Sequence, residues 1–169
     1  MIQRTSWNEY FLKIALLVSE RSTCLRRKVG AIAVKNKRIL VTAYNGAVSG
    51  AKDCLELDSC LRDELNIPSG KDKHMCRAVH SEQNIIIHAA VNGINIKDAI
   101  IYATHTPCIM CARMLVNAKI KKYVTCSARK ENDFEQFFNE AGIEMVYIPR
   151  PSSKIDAMDY RGNERKFDE

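Results

Sequence analysis

The 169-residue sequence has few of the features that mark disordered, membrane-spanning or secreted chains. It contains only seven glycines and four prolines, and its hydrophobic content of 46% is far from the polar composition of a disordered chain. No apolar run approaches the roughly 20 residues that a membrane span needs, and the N-terminal residues lack the apolar stretch and cleavage site of a secretion signal. We therefore expect one compact cytoplasmic domain with no membrane partner.

The excess of one charge over the other is also small. The chain carries 26 lysines and arginines against 20 aspartates and glutamates, a net charge of +6. This surplus favours anionic ligands without requiring a polymer, and the basic residues do not cluster into a nucleic-acid footprint. Charge alone therefore leaves three classes of candidate ligand: a nucleic acid, a nucleotide and another phosphorylated metabolite.

Cysteine, by contrast, is abundant. Seven cysteines in a chain with no sign of secretion favour metal ligands or a catalytic thiol over disulfides. The odd number leaves at least one without a pairwise partner. Cys126, at the end of an apolar run, is interpreted as a buried core thiol.

Hydrophobic periodicity predicts an antiparallel hairpin followed by alternating helices and strands. The first helix is expected over residues 6–21, with Ser6 and Glu9 forming a capping box, and the hairpin over 29–34 and 38–44. Further helices are expected at 80–91, 107–117 and 133–141, and further strands at 99–103, 122–126 and 143–148. This order predicts an α/β fold in which a mixed sheet lies between helices.

The pattern breaks down over residues 45–79, a segment that carries Cys54, Cys60, His74 and Cys76. A structureless loop of this length is uncommon in a compact domain, so we expect a metal to hold it. The predicted organisation is a single domain over residues 1–150 with a metal-bearing insertion at about 46–79, followed by a polar C-terminal tail over 151–169.

The residues with metal-ligand spacing lie at the starts of two predicted helices. His80 begins one helix, and Cys108 and Cys111 lie on one face of the first turn of the next. One imidazole and two thiolates make three ligands, the number that a catalytic zinc uses when its fourth position is kept for water. A helix N-terminus also lowers the pKa of a thiol towards the thiolate that metal binding requires.

Glu82 follows the histidine by two residues, close enough for its carboxylate to reach a water activated by the metal. Such a carboxylate can take the proton of that water and return it to a leaving group. Taken singly, His80 would be interpreted as a capping or buried histidine and the two cysteines as part of an ordinary helix face. Their joint spacing instead indicates hydrolytic machinery.

H-x-E followed by P-C-x-x-C is the signature of the zinc nucleobase deaminases, and the chain matches it with His80-Ser81-Glu82 and Pro107-Cys108-Ile109-Met110-Cys111. Ser81 stands where members of this superfamily commonly have alanine. Within the superfamily, the segments 21–31, 44–46, 60–70 and 74–77, together with Cys54, resemble bacterial and phage deoxycytidylate (dCMP) deaminases. The resemblance runs from about residue 6 to 150.

The resemblance implies a three-layer α-β-α cytidine-deaminase-like fold, with a mixed five-stranded sheet flanked by helices. It implies hydrolytic deamination of dCMP to dUMP and ammonia by a zinc-activated water, with Glu82 as the proton shuttle, supplying dUMP for thymidylate synthesis. It also implies a homohexamer that is activated by dCTP together with Mg²⁺ and inhibited by dTTP.

The resemblance further implies a second, structural zinc. Its expected ligands are Cys24, Cys54, His74 and Cys76, with Cys60 as the alternate, because a structural zinc needs four. The competing interpretation is a loop that packs its thiols without metal.

Substrate contacts are expected from five residues. The resemblance assigns Asn45 to the deoxyribose, although an asparagine before glycine is more often a turn residue. Arg26 and Lys28, in a basic run with Arg27, are candidates for the 5′-phosphate, because Arg offers a bidentate fork and Lys a point charge. Ser81 and His105 are expected to line the substrate pocket.

Two other functions compete with this interpretation. A tRNA adenosine deaminase, or another nucleoside or nucleotide deaminase, would share the P-C-x-x-C motif, but the insertion at 46–79 argues against the tRNA branch. A zinc-binding module without catalysis would close its coordination with a fourth protein ligand and would have no use for Glu82.

Overall fold

The computed structural model describes residues 4–127 and 133–151. Its strands are β1 (Gly30–Lys35), β2 (Arg38–Tyr44), β3 (Gly46–Ala47), β4 (Ala78–Val79), β5 (Ile100–Ala103), β6 (Lys122–Thr125) and β7 (Glu144–Tyr147). Five of them form one sheet in the order β2-β1-β5-β6-β7. β1 is antiparallel to both β2 and β5, whereas β5, β6 and β7 run parallel. The predicted mixed five-stranded sheet is confirmed.

Helices cover both faces of this sheet, which confirms the three-layer architecture. They are α1 (Trp7–Ser19), α2 (Leu61–Glu64), α3 (Ser81–Val91), α4 (Ile109–Asn117) and α5 (Glu135–Glu140). Helix α1 packs on one face, where Phe11 and Leu12 meet Tyr102 and Val124. Helices α3, α4 and α5 share a larger core on the opposite face. Each face of the sheet therefore excludes water from its own apolar cluster.

Local signals explain the first elements. The Ser6 hydroxyl accepts a hydrogen bond from the Glu9 backbone N–H at 3.2 Å and so caps α1, which is the Ser6 half of the predicted capping box. Asn36 and Lys37 both adopt positive φ, 51° and 60°, in the two-residue turn between β1 and β2, the backbone of a type I′ hairpin. Gly30 lies so close to α1 that a Cβ there would sit 2.5 Å from the Ser19 nitrogen. Only glycine allows this approach of helix and strand.

The segment at 45–79 contains short regular elements that the sequence pattern did not predict. They are β3, α2, a 3₁₀ helix over Lys73–Met75, and β4. β3 pairs antiparallel with β4, with Gly46 opposite Val79. This pairing returns the chain to the end of β2 and places His80 directly after β4. Of the predicted tail over 151–169, all but Pro151 lies outside the described residues.

Within the described ranges, no helix combines the length and the apolar character needed to cross a membrane.

Candidate active site

Three side chains form a compact triangle of metal-ligand atoms. The Nδ1 atom of His80 lies 3.5 Å from the Sγ of Cys108 and 3.4 Å from the Sγ of Cys111, and the two sulfurs are 3.5 Å apart. A tetrahedral zinc with Zn–N of about 2.0 Å and Zn–S of about 2.3 Å separates its nitrogen and sulfur ligands by about 3.5 Å and two sulfurs by about 3.8 Å. The donor types and their spacing therefore fit zinc.

The sequence builds this triangle from two helix starts. His80 is the N-cap of α3, and its backbone N–H donates to the Gln83 side chain at 2.9 Å. Cys108 is the N-cap of α4, and Cys111 follows one turn later. Since the loop before α4 leaves the end of β5, these ligands lie at the carboxyl edge of the parallel strands, where α/β folds commonly place their sites.

Electrostatics favour the thiolate form of Cys108. A side-chain hydrogen bond with Cys111 lowers the pKa of the Cys108 thiol to about 3, and His80 lowers it further, although burial acts in the opposite direction. The thiolate is the form that binds a metal. The local environment thus prepares Cys108 as a ligand.

Glu82 is 1% exposed and lines the same cavity as His80. Two hydroxyls contact its carboxylate: Ser81 Oγ donates to Oε2 at 3.0 Å, and the Tyr123 hydroxyl lies 3.2 Å from Oε1. The Tyr123 hydroxyl also donates to the His105 carbonyl at 2.8 Å. A buried carboxylate beside a metal-ligand cluster, and held by hydroxyls, has the placement that a proton shuttle requires.

The cavity has a volume of about 690 Å³, and its lining is basic. Glu82 is the acidic residue among those that line it, whereas four lining residues are cationic: Arg26, Arg27, Arg62 and Lys73. Lys28, predicted as a phosphate ligand, is exposed and is absent from the lining, so the structure does not bring it to the cavity. The surplus of positive charge suits an anionic ligand.

Arg26 reaches the cavity but is already engaged with the insertion. Its Nε lies 3.3 Å from the Asp63 carboxylate, and its Nη1 donates to the Ile67 carbonyl at 3.1 Å. Asp63 is largely exposed, so water screens this ion pair. Arg26 therefore holds the segment after α2 against the site while it contributes charge to the cavity.

Asn45 lines the cavity, and most of its amide is used within the protein. Oδ1 accepts from the Ser22 hydroxyl at 2.7 Å and from the Val29 N–H at 2.8 Å, and Nδ2 donates to the Arg27 carbonyl at 2.9 Å. Both lone pairs of Oδ1 are thus occupied, and one amide hydrogen of Nδ2 is left for a sugar oxygen. The amide anchors the segment before β1 as well as facing the cavity.

His105 also lines the cavity, as predicted. Its Nδ1 lies 3.0 Å from the buried hydroxyl of Thr104, which orients the ring. Ser81 is in the lining as well, but its hydroxyl points to Glu82. The side chain of Ser81 therefore bonds the Glu82 carboxylate, a contact that the sequence pattern did not predict.

The remaining thiols gather at the same cavity. Cys24, Cys54, Cys60 and Cys76 all line it, and all four are free. Burial raises the pKa of the Cys54 thiol, and the nearby Cys60, Cys24 and Cys76 raise it further. His74, predicted as a ligand beside them, is exposed on the 3₁₀ helix and is not in the lining. The structure thus groups the alternate ligand Cys60, rather than His74, with the other cysteines.

The four thiols of this group are spaced more widely than the donor atoms of His80, Cys108 and Cys111. Among the residues that the structure describes, His80, Cys108 and Cys111 are the only set of three or more metal-ligand side chains whose donor atoms all lie within 4.8 Å of one another. Cys126, interpreted as a core thiol, is half-buried, and its Sγ donates to the Thr104 carbonyl at 3.7 Å.

Sequence reasoning missed Tyr123 entirely as a site residue. It lies in β6, whose sequence Lys-Tyr-Val-Thr indicates only a strand, and 41 positions separate it from Glu82. The available signal is a tyrosine in a strand predicted to be in the core, because a buried phenol needs a polar partner.

Comparison with known proteins agrees with this geometry. Residues 5–127 match the family model for the cytidine and deoxycytidylate deaminase zinc-binding region, and the chain belongs to this family. It is 33% identical over 156 residues to the ComE operon protein 2 of Bacillus subtilis, covering 92% of this chain and 78% of that protein. It is 35% identical over 127 residues to the deoxycytidylate deaminase of Mycobacterium phage D29, covering 73% and 96% of the two chains.

Among solved structures, a dCMP deaminase from the cyanophage S-TIM5, in complex with dCMP and dUMP, superposes with a TM-score of 0.71 at 29% identity. The match covers 86% of this chain and 99% of that chain. By contrast, the chain spans about half the length of the deoxycytidylate deaminases of two yeasts, 47% and 45%.

Proposed function

We propose that this protein deaminates dCMP, converting dCMP and water to dUMP and ammonia. The observation that carries the proposal is that His80, one corner of the metal-ligand triangle, and the buried carboxylate of Glu82 line one basic cavity. A mononucleotide carries an anionic phosphate, which the cationic residues can bind, and a base, which can reach the metal-ligand residues. The similarity to deoxycytidylate deaminases supports the choice of cytosine as that base.

His80, Cys108 and Cys111 are proposed to hold a catalytic zinc, which when bound supplies the Lewis acidity that activates water near neutral pH. Glu82 takes one proton from the attacking water and delivers it to N3 of the base, and then carries the second proton from the hydroxyl formed at C4 to the amino group, which leaves as ammonia while the C4 carbonyl forms. The proton carrier Glu82 and the proposed zinc ligand His80 both line the cavity, as does His105.

We propose that cationic side chains bind the phosphate of the nucleotide and that one amide, that of Asn45, binds its sugar. Arg26 and Arg27, together with the other cations of the lining, favour the 5′-phosphate, and the second Nδ2 hydrogen of Asn45 is available to a deoxyribose oxygen. Binding energy from these non-reacting groups orients the base for reaction.

A second zinc is proposed at the thiol group, with Cys24, Cys54, Cys60 and Cys76 as its ligands. Four thiolates are a standard donor set for a structural zinc, and the proximity of these cysteines around Cys54 supports the assignment. Such an ion would tie three separate parts of the insertion to the segment before β1.

The family resemblance is the ground for three further proposals: a cytoplasmic homohexamer, activation by dCTP with Mg²⁺, and inhibition by dTTP. Turnover measured with and without each effector, and the mass of the protein in solution, test these proposals directly. The single-domain organisation over residues 1–150 is proposed on the same ground.

The test of the main proposal is release of ammonia from dCMP by the zinc-loaded protein, with deoxycytidine and a tRNA anticodon stem-loop as competing substrates. Glu82→Gln should keep its zinc but lose roughly 10²–10⁴-fold or more in kcat, because the amide cannot accept the proton. Glu140→Gln is the matched control, since Glu140 is exposed at the end of α5. Absence of dCMP turnover by the parent protein, or an active Glu82→Gln, would refute the proposal.

A further inference from the structure

Two buried hydroxyls enclose the Glu82 carboxylate, one from its own helix and one from the sheet. Ser81 Oγ donates to Oε2 at 3.0 Å, and the Tyr123 hydroxyl lies 3.2 Å from Oε1. Ser81 and Tyr123 are both 0% exposed. Each carboxylate oxygen therefore has its own hydroxyl partner, shielded from solvent.

Tyr123 is the more rigid of the two partners. Its backbone lies in β6, between the paired strands β5 and β7, and its ring packs against Phe138 with centroids 5.9 Å apart. Its hydroxyl is also bound to the His105 carbonyl at 2.8 Å. A phenol on a packed strand, held at a second point, leaves its oxygen almost no freedom to move.

We propose that Tyr123 is a positioning residue for Glu82, fixing the plane of the carboxylate that carries the proton, with Ser81 as its weaker counterpart. This inference rests on the deamination proposed above. A carboxylate can rotate about its terminal torsion, and a proton transfer needs one oxygen aimed at the reacting atoms. The two hydroxyls restrict that rotation from opposite oxygens.

The hydroxyl is well suited to a group that gains and loses a proton in each turnover. The phenol has one proton and two acceptors within reach: it can donate to Oε1 while Glu82 is ionised, and to the His105 carbonyl while its oxygen accepts from a protonated Glu82. A lysine or an amide N–H at this position could only donate. The orientation of Glu82 is therefore maintained through the whole cycle.

The test compares Tyr123→Phe with Tyr102→Phe. Tyr102 is a matched control: it lies on the neighbouring strand β5, is 2% exposed, and donates its hydroxyl to Asn8 at 3.0 Å on the opposite face of the sheet. Both variants lose one hydroxyl and keep the ring. For each variant, kcat and KM for dCMP, zinc content and thermal midpoint are measured on the full chain.

We expect Tyr123→Phe to lower kcat roughly 10- to 100-fold with KM within about threefold of the parent, because orientation at the reacting atoms is lost while binding is not. Its zinc content should equal that of the parent. Tyr102→Phe should lower the thermal midpoint by a similar amount and leave kcat within about twofold.

The inference is overturned if kcat of Tyr123→Phe stays within about tenfold of the parent, or if Tyr102→Phe loses as much kcat, which would indicate a general effect of stability. A loss of zinc in Tyr123→Phe would also overturn it, since the role would then concern the metal ligands. If the parent protein does not turn over dCMP, the proposed function fails instead, so the two failures are distinguishable.

Discussion

Replacing Asn45 with alanine should destabilise the protein even in the absence of substrate. The side chain is 7% exposed and makes three hydrogen bonds: Oδ1 accepts from Ser22 and Val29, and Nδ2 donates to the Arg27 carbonyl. The Ser22 hydroxyl keeps a second partner, the Asn45 carbonyl at 2.9 Å. The loss therefore concentrates on the Val29 N–H and the Arg27 carbonyl.

Each of these two groups is left without its side-chain partner, the Val29 N–H in a buried position and the Arg27 carbonyl in a partly buried one. A hydrogen bond contributes about 0.5–1.5 kcal/mol net, and leaving a buried partner unsatisfied costs about 1–3 kcal/mol. We therefore expect Asn45→Ala to lower the free energy of unfolding by about 2–4 kcal/mol, a large share of the ~5–15 kcal/mol typical of a domain.

Urea denaturation of the zinc-loaded protein, followed by circular dichroism, measures this change. Asn84→Ala is the matched control, because the Asn84 amide makes one hydrogen bond, to the Tyr44 carbonyl at 2.9 Å, and should cost about 1 kcal/mol. If Asn45→Ala costs no more than Asn84→Ala, the amide does not anchor the segment before β1, and Asn45 acts on the substrate alone.

Three further predictions follow from the packing, the thiol group and the basic cavity. Gly30→Ala should destabilise the protein by about 1–3 kcal/mol in thermal unfolding, because its Cβ would meet the backbone of α1; an unchanged midpoint would contradict the close approach. Cys60→Ser should lower the zinc content from two ions per chain to one, whereas His74→Ala should keep two; the reverse result would restore His74 as the ligand. Arg27→Met should reduce kcat/KM for dCMP about tenfold and leave kcat/KM for deoxycytidine unchanged. Lys28 is adjacent in sequence but outside the cavity, so Lys28→Met should change kcat/KM for either substrate by no more than about twofold. Equal effects of the two substitutions would show that Arg27 does not bind the phosphate.

Local signals were enough to predict the metal-ligand cluster and most of the sheet. His80, Cys108 and Cys111 lie within the first turns of two helices, and the spacing that places them there is a property of a few adjacent residues. The hairpin and its turn at Asn36 are likewise local. A motif read over six residues needs no knowledge of the rest of the chain, so these predictions were correct in type and nearly so in bounds.

Which of several nearby candidate residues reaches the site, by contrast, depends on contacts between distant segments of the chain. Arg27 and Lys28 are adjacent in sequence, and only the packing of the insertion decides which one lines the cavity. Cys60 joins the thiol group in place of His74 for the same reason.

Tyr123 reaches Glu82 across 41 positions because β6 and α3 share the core on one face of the sheet. Side chains along a strand point alternately to the two faces of the sheet. Tyr123 therefore faces α3 and Tyr102 faces α1 because of how the strands pair and which helix covers each face. Sequence by itself determined the candidate zinc ligands and the candidate proton carrier; the tertiary structure decided which charges, thiols and hydroxyls surround them, because those contacts form only when distant segments of the chain pack together.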